Sequence, residues 1–231
     1  MARNAEKNAL VREERRKQIL DAALTTYIRY GFHGTDMDAV AKEAGLAKGL
    51  LYYYYKTKKE LFTELFTWMF NESNSLSTTL LEQSEGLNPV EQLVYYCYHI
   101  FAFNQLNPRI LQFNIRVPFD AYAVFGPDEW QDGVQISNQH RASLADIIDK
   151  GISLQMISAT NPDLAANSFW SVFVANVFEY AKLMAGKKQP VENNIEALRN
   201  VVQFAFQGLG IEYTLWNSYL EKIVVKHEKR S

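Results

Sequence analysis

The sequence of 231 residues has little cysteine, few prolines and no long apolar run. Its single cysteine, Cys97, cannot form an internal disulfide and fits a reducing cytosol. The first 18 residues, MARNAEKNALVREERRKQ, are charged and contain no apolar stretch, so they do not resemble a secretory signal. The most apolar run, SFWSVFVANVF from Ser168, is too short to span a bilayer. We therefore expect a soluble, cytoplasmic protein with no membrane partner.

Patterns that carry catalytic or metal chemistry are also missing. The four histidines (His33, His99, His140 and His227) are scattered along the chain, and one cysteine cannot build a zinc cluster. No glycine-rich phosphate loop follows a strand-like segment. Cys97 and His99 are two positions apart on a predicted helix, so they point to different faces and do not form a nucleophile–base pair. The sequence predicts no metal, no cofactor and no enzymatic activity.

Positive charge is concentrated at one end of the chain. Residues 1–60 contain 12 lysines and arginines against 8 acidic residues, a balance of +4. The remaining 171 residues contain 12 against 18, a balance of −6. A basic segment joined to an acidic body favours a polyanionic partner for that segment. The alternative is chance clustering of charges on solvated faces.

Helical periodicity continues along the whole chain and predicts an all-α protein. Residues 13–30 form the first amphipathic segment, which the glycines of GFHG end. A short helix follows the TDMD cap at Thr35, Gly45 makes a turn, and residues 47–55 form a third helix. Thr57 and Glu60 make a capping box for a long fourth helix. Two short helices around a glycine turn, backed by longer ones, are typical of a helix-turn-helix DNA-binding unit.

Four consecutive tyrosines lie on the third helix, in GLAKGLLYYYYKTKKELF. At 100° per residue, Leu51 and Tyr55 share the face that packs inward. Tyr52 and Tyr53 point away from it, where their hydroxyls can donate to phosphate oxygens, and Tyr54 lies between the faces. An aromatic run is also compatible with plain core packing, but lysines on both sides favour a DNA contact.

The stretch RKQILDAALTTYIRYGFHGTDMDAVAKEAGLAKGLLYYYYKTKKELF resembles the N-terminal domain of the TetR family of bacterial transcriptional regulators. The resemblance covers residues 13–73, with the helix-turn-helix at about 36–55. It implies DNA contacts at Thr35, Lys48, Gly49, Tyr52, Tyr53, Tyr54 and Lys58. Ala47 and Leu50 belong to the same surface but depart from the family pattern. Ala47 stands where a capping serine is frequent, and Leu50 can contact a thymine methyl but cannot hydrogen-bond a base.

Residues 74–231 are predicted to form a larger helical domain for ligand binding and dimerisation. Aromatic residues are dense between Tyr95 and Trp130, where Pro118, Gly126 and Pro127 are expected to interrupt the helices. An aromatic-lined pocket is a common ligand site, and the resemblance implies an inducer between helices here. The predicted pocket residues are Tyr95, Tyr98, His99, Phe103, Phe113, Asn114, Arg116, Trp130, Phe169 and Phe173. The alternative is an aromatic core with its polar groups satisfied locally.

The resemblance implies a homodimer held by two late helices of each subunit. Two recognition helices can read a palindromic operator in double-stranded DNA. We therefore expect a repressor that a small hydrophobic or aromatic ligand releases from its operator. Two alternatives remain: a similar regulator controlled by a protein instead of a small molecule, and a ligand carrier that no longer binds DNA. The tail, residues 211–231, suggests a helix but no function.

Overall fold

The computed structural model describes residues 2–129, 131–184 and 195–228, and its regular elements in these ranges are helices. They are, in chain order, α1 (Ala2–Gly34), α2 (Met37–Glu43), α3 (Lys48–Tyr54), α4 (Lys58–Ser84), α5 (Pro89–Leu106), α6 (Pro108–Glu129), α7 (Gln131–Ser153), α8 (Pro162–Met184), α9 (Ile195–Gly208) and α10 (Tyr213–Glu228). The described ranges contain no strand, which confirms the all-α class. None of the described helices combines the length and apolar character that crossing a membrane requires.

The chain divides into two compact units. The first unit combines Met1–Asn71 with Arg109–Gly133, and the second combines Glu72–Pro108 with Val134–Ser231. The first unit therefore holds most of the predicted DNA-binding domain and also most of α6. The sequence analysis assigned α6 to the larger domain because nothing in its periodicity identifies the surface on which it packs.

Aromatic rings join α6 to the core of the first unit. Phe113 is fully buried, and its ring centroid lies 5.5 Å from that of Tyr27 and 4.9 Å from that of Phe66. Tyr27 also contacts Phe62 edge-on at 5.9 Å. Burying each of these rings stabilises the fold by about 1.5–3 kcal/mol. The predicted DNA-binding domain thus shares one apolar core with α6.

Glycines in the left-handed region break two of the helices. Gly31 has φ 73° within α1, and Gly126 has φ 77° within α6. The break at Gly31 is the one that GFHG predicts. Pro118 was also expected to interrupt α6, but the backbone is helical on both sides of it, so this expectation is wrong. A helix tolerates an interior proline when the lost hydrogen bond is offset by packing, and Val117 and Ala121 beside it are buried in the core.

Two pairs of helices form most of the packing in the second unit. Helix α8 packs along α9, and α10 packs against α5 and also contacts α9. Trp216 is fully buried and stacks on Phe206 at 5.4 Å. Asn161 caps the start of α8, since its side-chain oxygen accepts from the backbone N–H of Leu164 at 2.9 Å.

Candidate nucleic-acid interface

The turn between α2 and α3 positions α3, the predicted recognition helix. Gly45 has φ 65°, a conformation that glycine adopts without steric cost. The N–H of Gly45 donates to the carbonyl of Lys42 at 3.1 Å, and the N–H of Leu46 donates to that of Ala41 at 2.9 Å. These two bonds close α2 in a Schellman motif. The motif satisfies the last carbonyls of α2 and fixes the direction in which α3 leaves it.

Helix α3 is anchored by one apolar face. Leu51 is fully buried and Tyr55 is 2 % exposed, as the sequence analysis expected for this face. Burial, with a smaller contribution from the Glu64 carboxylate, raises the pKa of the Tyr55 phenol above its ordinary value. Tyr55 therefore stays neutral and belongs to the core.

The opposite face of α3 is open to solvent. Tyr53 is 61 % exposed and Leu50 is 37 % exposed. Tyr52 and Tyr54 are half-buried against the core, with the ring of Tyr54 edge-on to that of Tyr53 at 5.4 Å. Of the four tyrosines, one is interior, two are intermediate and Tyr53 presents most of its ring to solvent. The sequence places Tyr52 away from the Leu51 and Tyr55 face, and in the structure its ring is half-buried against the core.

Two residues at the start of α3, Ala47 and Gly49, have little or no side chain. Ala47 is the N-cap and makes no side-chain cap hydrogen bond, in agreement with the missing hydroxyl noted in the sequence. A Cβ placed on Gly49 would meet nothing within 4 Å. Internal packing therefore does not require glycine at this position. Together these two residues leave the backbone of the first turn accessible to a second molecule.

Lysines lie at both ends of α3. Lys48 is exposed, and its Nζ donates to Oδ2 of Asp38 at 2.7 Å and lies 5.8 Å from the ring centroid of Tyr52. The hydrogen bond to Asp38 raises the pKa of Lys48. Lys56 Nζ donates to the carbonyl of Tyr52 at 3.0 Å, at the other end of the helix. Cations therefore flank the exposed tyrosine.

Lys58 at the start of α4 lies beside the same unit's first helix. Its Nζ is 4.4 Å from the ring centroid of Phe32 and 3.4 Å from the carbonyl oxygen of His33, to which it donates. Burial lowers the pKa of this half-buried lysine. Thr57 Oγ1 accepts from the Glu60 N–H at 3.1 Å, which is the expected half of the capping box. The Glu60 carboxylate instead accepts from the N–H of Lys56 at 2.8 Å, one residue before the cap.

Thr35 is separated from this surface. Its side chain is 1 % exposed, and its hydroxyl donates to the carbonyl of Gly31 at 2.9 Å. Asp36, not Thr35, is the N-cap of α2 and accepts from the N–H of Ala39 at 2.7 Å. The structure therefore brings together Ala47, Lys48, Gly49, Leu50, Tyr52, Tyr53 and Tyr54, with Lys58 at the start of the next helix, and places the Thr35 hydroxyl inside.

Asp38 is the residue of this surface that sequence reasoning missed. Its carboxylate is 60 % exposed and pairs with Lys48, ten positions away across the turn. In the sequence, the acidic residues of TDMD are recognisable only as part of a helix cap. The pairing follows from the angle between α2 and α3, which spacing along the chain does not reveal.

The residues predicted for a ligand pocket fall into different surroundings. Phe113 belongs to the core of the first unit, and Asn114 and Arg116 lie in the same unit. An Nη atom of Arg116 would be 3.0 Å from a Cβ on Gly31, so this side chain lies against the end of α1. Helix periodicity does not show which neighbour each face of α6 meets. The pocket that groups these three residues with the others stays a prediction.

The remaining predicted pocket residues lie in the second unit. The rings of Tyr95 and Tyr98 both contact His99, with centroids 4.2 and 5.1 Å away. Phe169 and Phe173 are buried, and Phe103 is half-buried. Trp130 lies outside the described residues.

A cavity of about 330 Å³ opens between α8 and α9 in the second unit. Its lining is Ser158, Ala159, Thr160, Asn161, Leu164, Ala165, Ser168, Phe169, Val172, Phe204, Ala205, Gly208 and Leu209. Of the predicted pocket residues, Phe169 alone lines it. Two large apolar side chains at its edge are exposed, Leu164 at 64 % and Phe204 at 68 %. Among the described residues no group of histidine, cysteine and carboxylate side chains is arranged to hold a metal.

Comparisons with known proteins agree with this geometry. Residues 19–65 match the family described as bacterial regulatory proteins, tetR family. The uncharacterized HTH-type transcriptional regulator YhgD of Bacillus subtilis (strain 168) is 29% identical over 173 residues, which is 73% of this chain and 85% of YhgD. A TetR-like transcriptional regulator from Rhodococcus sp. RHA1 superimposes with a TM-score of 0.60 at 25% identity, over 86% of this chain and 97% of that one. FadR of Bacillus subtilis, solved in complex with stearoyl-CoA, shares the fold with a TM-score of 0.59 at 19% identity, over 83% and 98% of the two chains.

Proposed function

Because the chain is a helix-turn-helix transcriptional regulator of the TetR family, we propose that it is a repressor that binds a palindromic operator as a homodimer. The observation that carries this proposal is the exposed face of α3. That face combines the Tyr53 phenol and the Lys48 ammonium with an unobstructed backbone at Gly49. Phenols, ammonium groups and backbone N–H groups are the donors with which proteins hold phosphate oxygens.

When Lys48 binds DNA, its ammonium group exchanges the Asp38 carboxylate for a phosphate. In the free protein its ammonium pairs with Asp38, with both side chains more than half exposed. An exposed pair of this kind holds the side chain only weakly, since water screens the attraction. A duplex phosphate therefore displaces the carboxylate, and Lys48 is already oriented toward the surface that meets it. Lys58 supplies a second cation, fixed by Phe32 and the carbonyl of His33.

The open face of α8 and α9 supports the homodimer. Leu164 and Phe204 expose most of their surface beside the groove, and small residues such as Ala165 and Ser168 line it. Small residues allow close approach of a second pair of helices, and exposed Leu and Phe gain free energy when they are covered. A twofold dimer presents two copies of α3, which read half-sites about 34–36 Å apart.

The proposed effector is a small hydrophobic or aromatic molecule held by the helices of residues 85–180. The aromatic side chains Tyr95, Tyr98, His99, Phe169 and Phe173 support this ligand class, and the structure of FadR with stearoyl-CoA is an example of the same fold with a long-chain ligand. The ligand releases DNA by favouring an arrangement in which α4 moves and the two copies of α3 no longer fit adjacent grooves. Its effect on affinity equals its differential affinity for the two arrangements, typically about 5- to 150-fold.

Selection of bound duplexes from a random pool, repeated with candidate ligands, tests the proposal. We expect a twofold-symmetric sequence to be enriched, and a hydrophobic ligand to reduce its retention. Enrichment unaffected by any metabolite or cell extract would favour control by a protein partner. Failure to enrich any duplex would favour a carrier that has lost DNA binding and would contradict the repressor.

A further inference from the structure

Helix α1 begins well ahead of the helix-turn-helix domain. The match to the family begins at residue 19, whereas α1 starts at Ala2. At 1.5 Å per residue, the 12 residues from Lys7 to Gln18 add about 18 Å of helix. The side chains of residues 7–14 are all exposed, so this extension does not contribute to the core. Packing therefore does not explain why the chain has this charged, exposed extension of the helix.

Three polar contacts fix the direction of this extension. Arg16 forms a two-pronged pair with Glu64 of α4, at 3.1 and 2.5 Å. Gln18 donates to the carbonyl of Ala44, at the end of α2, at 2.7 Å, and accepts from Arg15 at 2.6 Å. The base of the extension is therefore tied to both α2 and α4. Since an α-helix is stiff over three turns, the residues before Arg15 are held in a set direction.

That direction brings Arg12 to the recognition helix. The guanidinium carbon of Arg12 lies 5.9 Å from the ring centroid of Tyr53. Tyr53 is the most exposed of the four tyrosines and forms the centre of the proposed DNA-binding face. A guanidinium over a ring keeps its N–H groups at the edge, where they remain able to donate to an anion.

The extension carries the charge that a phosphate contact needs. Residues 7–17 contain five cationic residues and two acidic ones. The described partners of Arg16 and Arg15 are side chains of the protein itself, Glu64 and Gln18. Arg12 differs from them because its described contact is an aromatic ring on the DNA-binding face. Planar guanidinium groups are suited to phosphate, since they can donate two parallel hydrogen bonds.

We propose that the extension of α1, residues 7–17, is a second DNA-contacting element in which Arg12 binds a backbone phosphate next to the one held by Tyr53. This inference rests on the proposed function, because it requires α3 to lie against duplex DNA. The stacked Tyr53 ring orients Arg12 before binding, so less side-chain freedom is lost in the complex. Arg12 holds the extension and the recognition helix on the same strand and adds affinity without reading sequence.

The test is the salt dependence of binding to a random-sequence duplex by the full-length protein. Each phosphate contact contributes about 0.9 to the slope of log K against log salt. Arg12→Gln is expected to reduce the slope by about 0.9 per protomer, or about 1.8 for a dimer, between roughly 50 and 200 mM salt. Lys150→Gln removes one charge from an exposed position on α7 in the second unit and is the matched control, with no change in slope expected. Arg12 is exposed, so circular dichroism is expected to show an unchanged fold.

Two changes at Tyr53 test the stacking. Tyr53→Phe keeps the ring and removes the hydroxyl, so the loss caused by Arg12→Gln is expected to persist in that background. Tyr53→Leu removes the ring, and the loss caused by Arg12→Gln is expected to shrink. Equal slopes for Arg12→Gln, Lys150→Gln and the unaltered protein would overturn the inference and leave the proposed function intact. Absence of salt-dependent binding by the unaltered protein would instead overturn both.

Discussion

Gly49 allows the proposed DNA-binding face to be perturbed without disturbing the fold. It lies in the first turn of α3, its φ is outside the left-handed region, and an added Cβ would meet nothing within 4 Å. Gly49→Ala therefore restricts the unfolded chain without straining the folded one. Such substitutions stabilise by about 0.4–1 kcal/mol. For a chain of this size the melting temperature is expected to rise by about 1–4 °C.

The same methyl group is expected to weaken DNA binding. If the backbone of this turn approaches a phosphate, a Cβ on Gly49 lies between them and lengthens a charge-assisted hydrogen bond. Losing one such bond costs about 1.5–3 kcal/mol, which is roughly a 10- to 150-fold loss of affinity. Fluorescence anisotropy with a duplex enriched from the random pool measures this loss, and thermal unfolding by circular dichroism measures the gain in stability.

Gly45→Ala is the matched control. A Cβ on Gly45 also meets nothing within 4 Å, but the residue has φ 65°. An alanine in the left-handed conformation costs about 1–2 kcal/mol, so this variant is expected to lose stability. Both glycines have open space around them, so opposite changes in stability at Gly49 and Gly45 would arise from their different backbone conformations. A Gly49→Ala protein that is more stable and binds the duplex as tightly as before would refute the placement of α3 against DNA.

Three further predictions concern charge, pH and assembly. Asp38→Asn removes the carboxylate that pairs with Lys48 and lies near the approaching phosphates, so duplex affinity at low salt is expected to rise several-fold in the anisotropy assay. Burial, with a smaller contribution from Arg141, lowers the pKa of His140 from 6.5 to about 4. As the pH falls, His140 takes up a proton in the unfolded chain before it does so in the folded one. Its contribution to the free energy of unfolding is therefore fully present above pH 6.5, and it decreases by up to about 3 kcal/mol as the pH approaches 4. His140→Gln is expected to flatten this dependence in urea unfolding. Phe204→Glu places a charge on the exposed face of α9 and is expected to convert the proposed homodimer to a monomer in analytical ultracentrifugation.

Each of these has a control and a contradicting result. Lys42→Gln, on the same helix as Asp38, changes charge in the opposite sense and should not tighten binding; equal affinity for Asp38→Asn and the unaltered protein would count against competition for Lys48. His33→Gln replaces an exposed histidine of the first unit and is the control, and equal flattening by His33→Gln and His140→Gln would count against a specific role of His140. Leu106→Glu alters another exposed apolar residue, and dissociation by both Leu106→Glu and Phe204→Glu would remove the case for the α9 face.

The local features of the DNA-binding unit follow from sequence because short-range geometry determines them. A rotation of 100° per residue separates Leu51 and Tyr55 from Tyr53, and the structure has the same separation. The glycine at 45 and the threonine cap at 57 also act within one or two turns of helix. Such features depend on the chain immediately around them, so one sequence is sufficient to predict them.

Contacts between distant segments could not be predicted in this way. Phe113 is separated from Tyr27 by 86 positions, and only the fold shows that their rings meet. The pairing of Lys48 with Asp38 and the stacking of Arg12 on Tyr53 depend on interhelical angles set by the whole unit. The predicted ligand pocket stays a prediction for the same reason, since aromatic density along the chain does not say which rings share a neighbour.

A structure of the 231-residue chain bound to a selected duplex would show whether α3 lies against DNA. We expect two copies of α3 in successive major grooves, with each Tyr53 hydroxyl within about 3.0 Å of a phosphate oxygen. A complex in which Tyr53 and Lys48 remain in solvent while another surface holds the duplex would contradict it.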